Sequence, residues 1–339
     1  MALRRALRGL LAAIAAWGLT APAAPEAADM GAAKKEGQVV WYSSLSLSVA
    51  QKVCKLFNDK KLGITCVLHR DGSVKLYQRY LQEAKGGVFE ADVLHTSDIG
   101  HFVTLKKEHL RPYKFQGSGE FIPSFTTKDG AWNILRASVY VLAYNTQLVK
   151  PEEAPQTWTD LLNPRWEGLL AHAHPSYSGV ITVGMLSLVK LHGWGYYDKL
   201  AALKPKVVQS AVATIPLVAR GEAHVVAGTA AYNIFGDIKK GEPLKMVLPK
   251  EGVAVISSPH AVLKKAPHPR AAEVFTDFLF SREAQQLLVE DGLHVGHPAV
   301  KYPEGLPSLE GLKLIEIGED EVQAKSKEIR EMFRKKFGV

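Results

Sequence analysis

Cysteine is nearly absent from this chain: two among 339 residues. Two cysteines exclude a disulfide-framework miniprotein and any four-cysteine zinc site. Familiar enzyme signatures are missing too. No Gly-x-Ser-x-Gly elbow, Walker loop, Gly-x-Gly-x-x-Gly turn or His-Glu-x-x-His pair occurs. Basic residues are scattered, and the densest runs (239–240, 264–265, 334–336) are short and carry no interleaved aromatics, which argues against nucleic acid. There is no internal repeat and no low-complexity linker. The apolar run at 10–21 falls short of the ~20 residues that span a bilayer comfortably.

What is present fits an ordinary globular protein, with 47% hydrophobic and 22% charged residues. At ~150 residues per domain the length suggests two domains. The formal charge of +8, from 42 Lys+Arg against 34 Asp+Glu, lies partly in a leader. Arg4, Arg5 and Arg8 precede the apolar run LLAAIAAWGLTA, and the small residues APAAPEAA follow. This is the three-part pattern of a secretory signal peptide, with cleavage expected near Ala23 or, as second choice, Ala28. The alternative is an uncleaved membrane anchor. Export leads to an oxidising compartment, where Cys54 and Cys66 either pair or remain buried thiols. A bridge across that loop is worth ~3 kcal/mol in the chain-entropy model.

Past the leader, strand and helix patterns alternate. Segments 38–44 (QVVWYSS), 63–70 (GITCVLHR) and 91–96 (ADVLHT) read as strands. Segments 46–60 and 73–85 between them have helical spacing, with Ser73 as the expected N-cap of the second. Strand–helix–strand–helix–strand implies a parallel sheet flanked by helices, whose ligands bind outside the carboxyl ends of the strands. Here those ends are Tyr42-Ser43-Ser44, His69-Arg70-Asp71-Gly72-Ser73 and Thr96-Ser97-Asp98, all rich in hydroxyls. Two long apolar stretches, 139–145 and 253–263, bracket the middle of the chain and suggest two lobes joined by a paired crossing. A charged amphipathic helix is expected at 319–337.

The sharpest local feature is HPSYSG at 174–179, which opens the apolar helix 180–191. The first turn of a helix offers unpaired N–H groups and the positive end of the dipole, and Ser176 and Ser178 add hydroxyls, so the segment suits an anion. Ordinary N-capping uses the same residues. Ser43-Ser44 ahead of the first helix carries the same two readings. Two such sites in opposite lobes could clamp one anion. His172 and His174 alternate on a strand and loop and read as surface or loop histidines, with support of a metal as the alternative, whereas His268 between two prolines reads as structural. The Tyr196-Tyr197 pair reads as packing.

Six segments in order then carry a resemblance: VWYSS (40–44), ADVL (91–94), LAYNT (142–146), APQTWTDLL (154–162), NPRWEG (163–168) and APHPRAA (266–272). The chain resembles the extracellular solute-binding proteins of ABC importers, in the branch that includes binders of ferric ion, hexose phosphates and phosphonates. The resemblance implies an α/β, type 2 periplasmic binding fold. Each of its two lobes is a mixed, mostly parallel sheet flanked by helices, and a two-strand hinge joins them. The expected boundaries are 1–23 for the signal peptide, 36–139 plus 258–339 for the first lobe and 140–257 for the second.

The implied activity is binding, not catalysis. A periplasmic monomer without cofactor captures a small anionic solute (a phosphate ester, phosphonate or carboxylate) and delivers it to an inner-membrane ABC permease. The expected cleft residues are Tyr42, Ser43, Ser44, Arg70, Ser73, Thr96, Ser97, Ser176, Tyr177, Ser178, Gly179, Thr229 and Tyr232, with Arg70 suited to bidentate contact. Ferric-binding relatives carry a His or Tyr after the first strand and a tyrosine pair in the second lobe. Here Leu45-Ser46-Leu47 and Thr229-Ala230-Ala231-Tyr232 stand there, so no metal site is expected. The alternatives are ferric cargo held by Tyr232 and Tyr177, an exported enzyme on the same fold, and a sensor subunit that presents solute to a receptor.

Overall fold

The computed structural model of the chain describes residues 28–339. The expected leader, 1–23, lies outside the described residues. The helices are α1 (Met30–Glu36), α2 (Leu47–Asp59), α3 (Ser73–Lys85), α4 (Ile99–Leu105), α5 (Gly179–His192), α6 (Gly195–Ala202), α7 (Thr214–Ala219), α8 (Ala231–Lys239), α9 (Pro269–Leu279), α10 (Arg282–Glu290) and α11 (Glu319–Phe337). The strands are β1 (Gln38–Ser43), β2 (Thr65–Arg70), β3 (Val93–His95), β4 (Leu110–Arg111), β5 (Asn133–Asn145), β6 (Leu170–Ala173), β7 (Lys206–Val208), β8 (Val225–Ala230), β9 (Leu244–Val247) and β10 (Val255–Leu263).

The main path of the sheet runs β2-β1-β3-β10-β5-β8-β6-β7. It divides into two lobes along β5. Up to Val139 this strand pairs antiparallel with β10, and from Tyr140 it pairs with β8 and β9. β1, β2 and β3 form the parallel part of the first lobe, and β6, β7 and β8 that of the second. Every residue of β5 is buried. Covered on both faces, the part of β5 from Val139 to Tyr144 has no polar side to alternate, which explains the apolar reading of that stretch.

Local chemistry explains several sequence features. The Asp92 carboxylate accepts from Val40 N–H at 2.7 Å and His268 N–H at 2.6 Å, tying β1, β3 and the start of α9 together. Pro269 then opens α9 at a position where its missing N–H costs nothing. In the second lobe Tyr140 stacks on Trp158 at 5.3 Å and fills a slot left by two glycines. A Cβ at Gly228 would lie 2.0 Å from the Tyr140 hydroxyl, and the φ of +117° at Gly228 favours glycine in any case. Cys54 of α2 and Cys66 of β2 are joined as a disulfide, with Cα atoms 5.4 Å apart.

One expectation needs correction. Ser73 is not the cap of α3. Gly72 holds that position, and the Ser73 hydroxyl instead meets Ser97 Oγ at 2.8 Å. The C-terminal helix α11 packs on α4 and also on β6 and α5. Gly100 of α4 packs against the backbone of Gln323, while Phe333 stacks on His172 of β6 at 5.5 Å, and Lys190 of α5 pairs with Glu321 at 3.1 Å. Its buried stripe of Val322, Ser326, Ile329 and Phe333 recurs at helical spacing and covers both lobes.

Candidate functional site

A narrow cleft lies between the lobes at the carboxyl ends of β1, β2 and β3. From the first lobe it is lined by Ser44, Arg70, Gly72, Ser73 and Ser97. From the second come Tyr177, Ser178, Val180 and Tyr232, with Asn233 and the 210–212 loop. Seven of the expected residues thus meet here: Ser44, Arg70, Ser73, Ser97, Tyr177, Ser178 and Tyr232. The lining contains one arginine, several hydroxyls and two phenols, and no acidic side chain.

The two serines that could have been plain caps are not acting as caps. Ser46, not Ser44, precedes α2, and the Ser44 hydroxyl is buried without a partner while its N–H donates to His95 O at 3.0 Å. Ser178 stands at the cap position of α5, yet its side chain makes no capping bond. Arg70 Nε donates to Leu45 O at 2.9 Å, which ties the guanidinium to the loop after β1. Ser73 Oγ also accepts from Ser97 N–H at 3.1 Å, fixing two strand ends together.

Six expected residues lie off the cleft. Tyr42 faces the other way: its hydroxyl donates to Glu83 at 2.6 Å, and Arg79 covers its ring at 4.9 Å. Burial and the hydrogen bond to Glu83 push its phenol above the ordinary range. Ser43 Oγ accepts from Leu45 N–H at 3.4 Å, shaping the turn after β1. Thr96 Oγ1 donates to Asp98 O at 3.2 Å and lies the same distance from His101 Nδ1, which turns it toward α4. Ser176 N–H donates to His174 Nδ1 at 2.9 Å within its own loop. Thr229 supports the lining from behind, accepting from Asn233 Nδ2 at 3.0 Å. Gly179 presses against Ser97 of the opposite lobe.

The residue that sequence reasoning missed is Arg136 of β5. It is 0% exposed, and neither Nη1 nor Nη2 has a hydrogen-bond partner. Its guanidinium lies 4.9 Å over the Tyr232 ring, and its Nε faces His95 Nε2 at 3.3 Å. His95 Nδ1 lies 2.9 Å from Pro259 O. Burial, and next the neighbouring Arg136, hold the His95 imidazole well below its ordinary range. A neutral ring with its proton on Nδ1 satisfies both contacts, leaving Nε2 to accept from Arg136. Arg136 pairs with Ser258 across the ladder, and Ser138 follows two positions along β5, so all three share one face. The hydroxyls of Ser138 and Ser258 are buried and unpartnered as well. Burial lowers the Arg136 guanidinium from its ordinary range, and only the Tyr232 phenol opposes that shift. Arg136 is not itself among the residues that line the cleft: it is a buried cation without a counter-charge, in contact with the lining residue Tyr232 and beside hydroxyls without partners.

Residues 100–325 match the sequence family of bacterial extracellular solute-binding proteins. The chain belongs to this family. Among relatives of this solute-binding protein, iron uptake protein A1 of Synechocystis is 25% identical over 294 residues, 80% of this chain and 78% of that one. The periplasmic binding protein AfuA of Actinobacillus pleuropneumoniae, solved with exogenous fructose-6-phosphate, superposes with a TM-score of 0.79 at 22% identity, covering 89% of this chain and 99% of that one. The substrate-binding protein of an ABC transporter from Agrobacterium tumefaciens gives 0.78 at 18% identity, over 93% and 100% of the two chains. The proteins this chain is similar to thus include one named for iron uptake and one solved with a sugar phosphate. In this solute-binding protein no group of three or more His, Cys, Asp or Glu side chains among the described residues is placed to hold a metal ion. No helix among the described residues is long and apolar enough to cross a membrane.

Proposed function

We propose that this chain is the periplasmic binding component of an ABC importer and that its cargo is a small anion: a phosphate ester, phosphonate or carboxylate. The proposed lobes are 36–139 with 258–339, and 140–257, with α11 lying across both. The observation that carries the reading is the unpaired, fully buried Arg136. A buried ion without a partner costs several kcal/mol. An anion reaching Nη1 and Nη2 beside the Tyr232 ring supplies the missing charge, and each charge-assisted bond adds ~1.5–3 kcal/mol. Ser44 and Ser178 add hydroxyl donors from opposite lobes. The solute then bridges the lobes and favours the closed arrangement by its differential affinity for it. Delivery to the inner-membrane permease follows from the family, not from any residue of the cleft.

Ferric cargo is the second reading, because both Tyr177 and Tyr232 line the cleft. A hard trivalent ion needs several anionic oxygen or imidazole ligands, and this lining offers two phenols beside an arginine. Calorimetric titration with inorganic phosphate, fructose-6-phosphate and Fe(III) separates the two. Anion binding without a strong tyrosinate absorption band is expected. A stoichiometric visible band with Fe(III), lost in Tyr232→Phe, overturns the anion reading in favour of iron.

A further inference from the structure

Two glycines, one from each lobe, stand where the lobes touch. Gly72 caps α3 in the first lobe. A Cβ built there would lie 2.3 Å from the carbonyl oxygen of Tyr177 in the second. Gly179 opens α5 in the second lobe. Its Cβ would lie 2.5 Å from the Ser97 carbonyl oxygen and 2.7 Å from Asp98 Cβ in the first. In both cases the obstacle includes backbone, which cannot rotate aside as a long side chain can. The two contacts are reciprocal. Gly72 meets the residue just before Ser178, and Gly179 meets Ser97 itself, so they flank the cleft residues Ser73, Ser97, Tyr177 and Ser178.

Backbone conformation does not account for either glycine. Gly72 has φ −64° and ψ 149°, an extended conformation open to any residue. Gly179 is helical and is not among the glycines with positive φ. At the first turn of a helix, alanine is the better helix former. The feature that excludes a side chain at each position is the approach of the opposite lobe.

We infer that Gly72 and Gly179 are the closure-determining contacts of this protein: their missing side chains let the lobes meet backbone to backbone, and any larger residue holds the cleft ajar. The inference rests on the solute-binding reading, since closure matters only if a solute bridges the lobes. It assigns these residues a positioning role, distinct from donating bonds to the solute. With an added methyl, the backbone must retreat by roughly 1 Å to reach ordinary contact distances, and donors on the two lobes no longer reach one ligand together. Loss of one charge-assisted bond then weakens binding by about ten- to a hundred-fold.

The test compares wild type, Gly179→Ala, Gly72→Ala and a control, Gly195→Ala. Gly195 also opens a helix, α6, but a Cβ there meets nothing within 4 Å. Each is titrated calorimetrically with inorganic phosphate, fructose-6-phosphate and ferric citrate. Small-angle scattering reads compaction on binding, and thermal melting of the apo-protein reads folding. Gly72→Ala and Gly179→Ala should both melt close to wild type, bind at least about tenfold more weakly and fail to compact. Gly195→Ala should behave as wild type. If wild type binds and compacts and Gly179→Ala and Gly72→Ala do the same with equal affinity, the inference is wrong while the solute-binding reading stands. A wild-type chain that binds none of the three probes overturns that reading and this inference with it. Should one variant melt early, the other decides: normal binding by a stable Gly179→Ala or Gly72→Ala is sufficient refutation.

Discussion

Replacing Arg136 with methionine should move stability and affinity in opposite directions. Arg136 is fully buried, with both Nη atoms unpaired and Nε held only by a neutral imidazole at 3.3 Å. In the empty protein this is an uncompensated charge. Methionine keeps the straight stem and much of the volume and removes the ion. Exchange of buried ionic groups for well-packed apolar ones is often neutral or stabilising by about 1–4 kcal/mol. The empty variant should therefore unfold at equal or higher urea concentration than wild type. With solute the sign reverses. Two charge-assisted bonds at ~1.5–3 kcal/mol each are lost, which corresponds to roughly two to four decades in affinity. The assay is urea denaturation of the empty proteins, followed by calorimetric titration of each. Arg136→Lys should recover only part of the affinity, because a single ammonium cannot match a planar fork. If Arg136→Met unfolds earlier and binds phosphate compounds as wild type does, the arginine is a structural strut and the reasoning fails.

Other outcomes follow from the same structure. Reduction of Cys54–Cys66, or the double alanine variant, should destabilise the first lobe by ~3 kcal/mol, seen as a lower urea midpoint with unchanged solute affinity. Phe333→Ala removes a fully buried ring stacked on His172 and, at 4.2 Å, on Phe337; a loss of about 3–5 kcal/mol is expected in denaturant titration. Acid should destabilise the protein between pH 6.5 and about 4. Burial lowers His172 to about 4 and His260 to about 3, so in that window the unfolded chain binds protons that the folded chain refuses. Stability then rises with pH by up to ~1.4 kcal/mol per unit for each histidine and levels off above 6.5, and His172→Gln should flatten the curve. N-terminal sequencing of the exported protein should give a start near residue 24 or 29, and a periplasmic chain starting at Met1 contradicts the leader.

Seven of the expected residues line the cleft, and their signals differ: strand ends with hydroxyls mark Ser44, Ser73 and Ser97, and the helix opening at 174–179 marks Tyr177 and Ser178. Tyr42 turns to Glu83 and Arg79 instead, because alternation along β1 sends neighbouring side chains to opposite faces, and position at a strand end does not say which face meets the cleft. Arg136 was missed for a related reason. The apolar stretch was expected to begin at residue 139, yet β5 starts at Asn133, and an arginine inside a strand buried on both faces is itself the signal. Gly72 and Gly179 could not be read from sequence, because the atoms that exclude a side chain there come from the opposite lobe. The span of α11 across both lobes was hidden likewise: its heptad-like stripe shows a buried face without naming what buries it.

The most direct test of the central claim is native mass spectrometry of the protein purified from its own periplasm. A small anionic organic or inorganic molecule should appear as one added mass per chain in wild type, released on denaturation and absent from Arg136→Met. A wild-type chain carrying only iron, or an adduct retained in full by Arg136→Met, contradicts the claim that a buried arginine selects an anionic cargo.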